Sequence, residues 1–469
     1  VRSIGRYTVL GLLGRGGMGA VYKAVLPRVG RVVALKLLKP SEQLAATADP
    51  GGLRRTFLRE AALMARIRHP GVAQVLDLDE DAAGRPFYVM EYYCANLGAQ
   101  LGESYRVEEP TRRLGVARSL SLARQLAGAL ARLHAEGILH RDVKPYNLML
   151  ADLPPDWTPG PDGGGAEGGD AAKLIDFGLS RLRGERAAGP ARGAVAGSPY
   201  YCAPEQERDP EDADERADVF SAGVTLFRCL TGRLPQEGLA ASSLRAGLDG
   251  RFDDFFARCC AADPARRPVS ARELLAELDG LAGHWEALRA AACALPPEPS
   301  ALASPAADSR PQAPPRAKPV RQPLRGARAA FGLDALWRPR PLPPERLADR
   351  GDGTVGDPAT GLVWERGGSP YVLPFAGARE YAARLAAERF AGLSGWRLPT
   401  AAELCTLLTP EPDPRRLCLP PVFDAAQRRL WSADRKSFTA AWYADAEQGF
   451  LWWQDLTCAF FVRCVARAE

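Results

Sequence analysis

The sequence predicts an α+β architecture in two folded regions, and three observations carry that prediction. Strand-like apolar alternation surrounds a run of glycines near the start, then gives way to helical periodicity. In SLARQLAGALARLHAEG, Leu122, Leu126, Ala129, Leu130 and Leu133 fall on one stripe. From about residue 295 to 350 the chain holds thirteen prolines, many arginines and few large apolar residues outside FGLDALW. That is the composition of an extended, basic linker. The remaining stretch is rich in tryptophan and in Gly/Pro/Asp turns, with one helical segment, AREYAARLAAERFAG, among strand-like pieces.

Composition bounds the rest. At 469 residues the chain exceeds one ordinary core, so more than one domain is expected. With 46% apolar and 25% charged residues it reads as globular rather than disordered or fibrous. Lys+Arg 61 against Asp+Glu 56 gives a net charge of only +5, which makes no case for nucleic-acid binding. The first twenty residues lack the apolar core of a secretion signal, and no run of apolar residues is long enough for a membrane span. The ten cysteines show no paired CxxC spacing, and with four histidines a structural zinc site is not expected. The expectation is a cytoplasmic protein with free thiols and no membrane span.

The chemistry-bearing residues come in a fixed order. Gly14, Gly16 and Gly19 form GRGGMGAV after an apolar run, and glycines so spaced let backbone turn closely over phosphates. Taken alone this is a weak signal, equally compatible with a plain turn. Fifteen residues after Val21 stands Lys36, at the end of VVALK, able to reach nucleotide phosphates or simply to face solvent. FLREAALMARIRHP reads as a helix that offers Glu60 to Lys36. Then come His140, Arg141, Asp142, Lys144 and Asn147 in LHRDVKPYNLML, Asp176, Phe177 and Gly178 in KLIDFGLS, GSPYYCAPE ending at Glu205, and DVFSAG from Asp218.

In this order the motifs resemble the eukaryotic-type protein kinase family, in its bacterial Ser/Thr branch, over about residues 5–285. The resemblance implies a bilobal protein-kinase fold across 1–290, with an N-lobe of about 5–92 and a C-lobe of about 93–290. It implies ATP and Mg²⁺ as cofactors and a protein substrate. Gly14, Gly16, Gly19, Val21 and Ala34 would belong to the nucleotide site, with Met90 as gatekeeper and the hinge at Glu91 to Tyr93 against the adenine. Lys36, oriented by Glu60, would hold the α- and β-phosphates. Asn147 and Asp176 would be the metal ligands, suited by their hard oxygens. Asp142 would orient the substrate hydroxyl and take its proton, and Lys144 would neutralise the transferring phosphate. Met64, Val75, His140 and Phe177 would pack as a spine between the lobes, which makes His140 structural rather than a base. Glu205 would pair with Arg267, Asp218 would brace the catalytic loop, and Ser198 fits Ser/Thr specificity. The alternative is a pseudokinase scaffold, or a ligand-binding protein whose nucleotide pocket is a switch.

Three departures from the family pattern stand out. RLRGERAAGPARGAVAG, between Ser180 and Ser198, contains no Ser, Thr or Tyr, so activity is expected not to depend on phosphorylation there. Only thirty residues separate Gly232 from Asp263, a shortened stretch. A Gly/Pro/Asp-rich insertion, 151–172, falls between two short apolar runs and reads as a solvated loop within a hairpin.

Beyond the linker, assigned to 291–350, GDGTVGDPATGLVWE, GWRLPTAAEL, LWSAD and FFVRCVA resemble the Lcl C-terminal domain family over about 350–467. They also resemble C-type-lectin-like folds, which is the fold expected for this part. The domain assigned to 351–469 is therefore expected to be a small α+β recognition or sensory module, with a ligand or protein partner of its own. Trp364 and Trp396 are expected in its core, as are most of Trp442, Tyr443, Trp452, Trp453 and Phe460. Thr400 and Glu403 are placed for a capping box. Asp352 and Asp357 lack the pattern of a calcium loop, so no metal is assigned there.

Overall fold

The computed structural model describes residues 3–103, 107–152, 170–176, 181–182, 200–209, 213–293, 315–340, 347–410, 412, 417–424 and 427–467. The chain divides into two compact units, Val1–Pro296 and Pro297–Glu469. Ser180 and Ser198, Phe177 of the expected spine, and nearly all of the insertion lie outside the described residues.

The first unit opens with a six-stranded antiparallel sheet. Its strands are β1 (Ser3–Ile4), β2 (Tyr7–Arg15), β3 (Gly19–Val25), β4 (Val32–Leu38), β5 (Val75–Glu80) and β6 (Pro86–Glu91), in the order β1-β2-β3-β4-β6-β5. Helix α1 (Glu42–Thr47) precedes α2 (Pro50–Arg66). Asp49 caps α2 by accepting from the N–H groups of Gly51 and Gly52, and Pro50 supplies a preset first turn. Phe57, Glu60, Ala61, Leu63 and Met64 form its buried face, so a carboxylate is carried into the interior among apolar neighbours.

The rest of this unit is mainly helical. Helices α3 (Leu97–Leu101), α4 (Val116–Ala135), α5 (Pro204–Arg208), α6 (Glu215–Thr231), α7 (Ala241–Leu244), α8 (Gly250–Cys259) and α9 (Ala271–Cys293) follow, and all but α5 contribute to a shared core. The leucine stripe of α4 is buried as its periodicity predicts. Helix α6 ends at Gly232, whose φ of 72° is left-handed and where a Cβ would lie 2.5 Å from the Thr111 carbonyl oxygen. Two constraints, conformation and space, converge on glycine there. The shortened stretch after Gly232 still supports the helices α7 and α8. The runs flanking the insertion pair as a hairpin, Leu148 with Leu174 through Asp152 with Asp170.

The second unit is built from small sheets. One combines Ala348–Asp349, Thr354–Asp357, Leu362–Glu365 and Val465–Arg467, and another combines Arg429–Arg435, Ala440–Asp445 and Phe450–Asp455. The expected helix runs over Phe375–Ala387, followed by a 3₁₀ turn at Phe390–Gly392. A short helix, Ala401–Cys405, begins with the capping box foreseen at Thr400 and Glu403. Trp364, Trp396, Trp431, Trp442, Tyr443 and Phe460 are buried, while Trp452 and Trp453 are half-buried.

The linker reading of 291–350 requires correction for residues 315–340, which fold as part of this unit. Arg316 Nη2 pairs with Asp434 Oδ2 at 2.8 Å, and the Val320 N–H donates to Asp434 Oδ1 at 2.6 Å. The Gln322 N–H donates to the Arg435 carbonyl at 2.8 Å, and the Trp442 indole donates to the Gln322 carbonyl at 3.0 Å. A helical turn, Ala327–Phe331, sets Phe331 edge-on to Trp442, and Trp337 stacks on the same ring. The proline content masked this, because FGLDALW supplies enough aromatic surface to anchor the segment.

Among the described residues seven cysteines are free thiols, six of them buried, with Cys464 among the six, whereas Cys94 and Cys458 are disulfide-bonded, which corrects the expectation of free thiols throughout. Burial pushes the thiols of Cys229, Cys260 and Cys405 up to about 12. Among the described residues no helix is long and apolar enough to cross a membrane.

Candidate active site

The sheet register assembles the first half of the site. Directly opposed residues share a face, and Val21 opposes Lys36, Ala34 opposes Met90, and Lys36 opposes Tyr88. Alternation on β4 and β6 therefore brings Val21, Ala34, Lys36, Tyr88 and Met90 onto one face. Gly14 and Arg15 pair with Val21 and Ala20, and Gly16 turns back with its N–H on the Gly19 carbonyl at 2.8 Å. At Gly14 and Gly16 a Cβ would meet nothing within 4 Å, so the space above this turn is open to a ligand. At Gly19 it would strike the Leu37 carbonyl oxygen at 2.6 Å, so that glycine is needed for strand packing.

Lys36 Nζ donates to Glu60 Oε1 at 2.6 Å and to Asp176 Oδ1 at 3.0 Å. The Tyr88 hydroxyl donates to the same Glu60 Oε1 at 2.6 Å. Burial works against the lysine cation, but Tyr88, Asp176 and Glu60 overcome it, and its pKa stands well above the ordinary value. Asp176 keeps 44% of its side chain exposed, which leaves it accessible to a ligand. At the end of β6, Glu91 Oε1 accepts from Arg31 at 2.7 Å and Glu91 Oε2 accepts from the Tyr93 hydroxyl at 2.8 Å. These bonds fix the side chains of Glu91 and Tyr93.

The catalytic loop supplies the second half. Lys144 Nζ donates to Asp142 Oδ2 at 2.7 Å, and Asn147 Nδ2 donates to the same oxygen at 3.0 Å and to the Asp142 carbonyl at 2.8 Å. Committing Nδ2 in this way fixes the orientation of the amide. Arg141 and Asp176 hold φ of 68° and 66°, left-handed values that cost a bulky residue on the order of 1–3 kcal/mol each. The loop is held in that shape from behind. Asp218 accepts from the N–H groups of His140 at 2.9 Å and Arg141 at 2.8 Å, and contacts His134 Nε2 at 2.9 Å. Burial pushes the Asp218 carboxyl up, but the His134 hydrogen bond, the histidine charges and the Arg141 N–H outweigh it and hold it below the usual range. Gln206 Nε2 donates to the Arg141 carbonyl at 2.8 Å.

His140 is fully buried, with Nδ1 accepting from the Asp142 N–H at 3.3 Å and Nε2 facing the Ile175 carbonyl at 3.2 Å. Both ring nitrogens serve the loop backbone, which is a structural role. Glu205 and Arg267 form a buried bidentate pair at 2.6 and 2.9 Å.

Sequence reasoning did not single out Tyr88, His134 or Gln206. Tyr88 had a signal: it stands two residues before Met90, so strand alternation puts it on the same face. His134 and Gln206 reach their partners across 84 and 65 residues, and no local pattern announces them.

Comparison with known proteins assigns both units to families. The model of the protein kinase domain matches residues 7–277, and that of the Lcl C-terminal domain matches residues 353–466. The chain belongs to the protein kinase family, with an Lcl C-terminal domain following the kinase domain. Serine/threonine-protein kinase pkn2 of Myxococcus xanthus is 35% identical over 61% of this chain and 33% of its own length. Pkn3 of the same organism is 32% identical over 59% of this chain and 50% of its own. Serine/threonine-protein kinase PknK of Mycobacterium tuberculosis is 35% identical over 57% and 23%. The aligned part thus spans between about a quarter and a half of these curated relatives. Family membership implies ATP and a divalent metal. The donors fit such an ion: one carboxylate and one amide oxygen suit a hard cation completed by phosphate oxygens. Among the described residues no group of three or more His, Cys, Asp or Glu competes for it.

Proposed function

We propose that this chain is a Ser/Thr protein kinase that moves the γ-phosphate of ATP to a protein hydroxyl, with Mg²⁺ as the metal. The observation that carries the reading is the Asp142 carboxylate, held by Lys144 and Asn147, in the same domain as the Lys36–Glu60–Asp176 cluster. Phosphoryl transfer demands positioning and charge neutralisation more than covalent help. Lys36 would fix the α- and β-phosphates, and Glu60 keeps its ammonium pointed at them. Asp142 would accept the hydroxyl proton, while Lys144 would offset charge on the group in transit. Mg²⁺, held by Asn147 and Asp176, would supply charge neutralisation across the phosphates. The relatives named above are serine/threonine-protein kinases, which supports the choice of acceptor.

We further propose that the C-terminal unit is a recognition domain that regulates or targets the kinase. The experiment is mass-spectrometric phosphate mapping on the purified full chain in Mg·ATP, with a generic protein acceptor present. Phosphoserine or phosphothreonine on the acceptor or the chain is expected, lost by at least about a hundredfold in Asp142→Asn. Equal incorporation by that variant would sink the assignment of Asp142. No incorporation by wild type, with or without residues 297–469, would sink the kinase reading.

A further inference from the structure

The C-terminal unit contains a cavity of about 450 Å³, within the size range of small-molecule sites. Its apolar wall includes Phe375, Trp396 and Leu398, and its only charged lining residues are Arg379, Arg397 and Arg435. The three guanidiniums differ in how they are held. Arg397 is neutralised by a bidentate pair with Glu403, Nη1 to Oε2 at 2.8 Å and Nη2 to Oε1 at 2.6 Å. Glu403 in turn completes the capping box with Thr400, so that corner of the cavity is rigid. Among the described residues the Arg435 side chain donates only to backbone carbonyls, those of Ser437 and Phe438, and lies over the Phe375 ring at 4.9 Å. Arg379, on the exposed side of the helix Phe375–Ala387, has no hydrogen bond or ion pair among the described residues.

Two of the three guanidiniums lining the cavity thus have no carboxylate partner among the described residues. Burial, and then the neighbouring Arg379 charge, lowers the affinity of Arg435 for its proton. Like charges set together beside an apolar wall are costly unless an anion is to join them. Guanidinium forks match the planar oxygens of carboxylates and the oxygens of phosphates, and they stack on aromatic rings.

We infer that this cavity binds a small organic anion, its carboxylate or phosphate head between Arg379 and Arg435 and its apolar body against Phe375, Trp396 and Leu398. The inference rests on the recognition role proposed for the C-terminal unit and gives it a ligand class. It is independent of the kinase chemistry, and binding is measured without ATP so that either reading can fail alone.

The test is calorimetry on the full chain, checked by ligand-observed NMR, with 4-phenylbutyrate, 3-phenylpropyl phosphate and the uncharged 4-phenylbutyramide as probes. One or both anions should bind at least about tenfold more tightly than the amide. Arg379→Gln, which breaks no contact within the fold, should erase that advantage while leaving the melting temperature in place. Ala383→Phe, which fills the cavity without altering charge, should weaken every probe. A preference for one anion names the head group. The inference is overturned if no probe binds at millimolar concentration, if the amide binds as well as the anions, or if Arg379→Gln leaves anion binding unchanged.

Discussion

Tyr88 illustrates what a single hydroxyl does at the site. Glu60 is buried, and its Oε1 receives both Lys36 Nζ and the Tyr88 hydroxyl at 2.6 Å. The tyrosine is fully buried and acts through Glu60, so it is a positioning residue that keeps the glutamate aimed at the lysine. Tyr88→Phe keeps the ring that packs on Phe57 at 5.3 Å and removes only the bond. A hydrogen bond to a charged group contributes about 1.5–3 kcal/mol, so kcat/KM for ATP should fall by roughly tenfold or more. Steady-state kinetics at saturating acceptor would check this, and a merely structural role would lower the melting temperature without changing the ATP dependence. Legibility in the sequence divides along the same line. Asp142, Lys144 and Asn147 meet within five residues of chain, so one contiguous motif, through its resemblance to protein kinases, announced them together. Tyr88 meets Glu60 across 28 residues, and only the sheet register reveals it.

At the level of elements, the junction between α6 and the loop carrying Thr111 is where conformation and packing coincide. The Thr111 N–H donates to the Gly232 carbonyl at 2.8 Å, and no room remains for a side chain. Gly232→Ala should therefore destabilise the first unit by about 1–3 kcal/mol, the cost of a left-handed non-glycine residue with crowding added. Denaturant unfolding would measure it, and a change below about 0.5 kcal/mol would refute the argument. Helices and strands of both units were readable because apolar spacing is a local property. The segment 315–340 was not readable, because its partners Asp434, Arg435 and Trp442 lie more than a hundred residues away. Composition there described an isolated chain, whereas burial of Phe331 and the Arg316–Asp434 pair decided the outcome.

For the whole molecule, that segment redraws a boundary. The Lcl C-terminal domain match begins at residue 353, yet Arg316 pairs with the fully buried Asp434, whose Oδ2 also accepts from the Ala401 N–H at 2.8 Å. A fragment starting at residue 351 would leave Asp434 without Arg316 and Val320, and would strip Phe331 and Trp337 from Trp442. With Arg316 32% exposed and Asp434 fully buried, the truncation leaves a buried carboxylate short of two donors, at a cost on the order of 1–3 kcal/mol before the lost aromatic contacts are counted. A fragment of residues 315–469 should therefore melt well above one of residues 351–469, and equal melting temperatures would refute the redrawn boundary.

The aromatic concentration of the second unit also has an optical consequence. Seven of the nine tryptophans stand between Trp337 and Trp453, and only Trp157 and Trp285 belong to the kinase domain. Trp337 stacks on Trp442 and meets Trp452 edge-on at 4.8 Å, so several indoles lie within energy-transfer range of one another. Ultraviolet excitation of the intact chain illuminates chiefly the C-terminal unit. The far-ultraviolet helical signal comes chiefly from the kinase domain, so one unlabelled sample yields a separate unfolding trace for each unit.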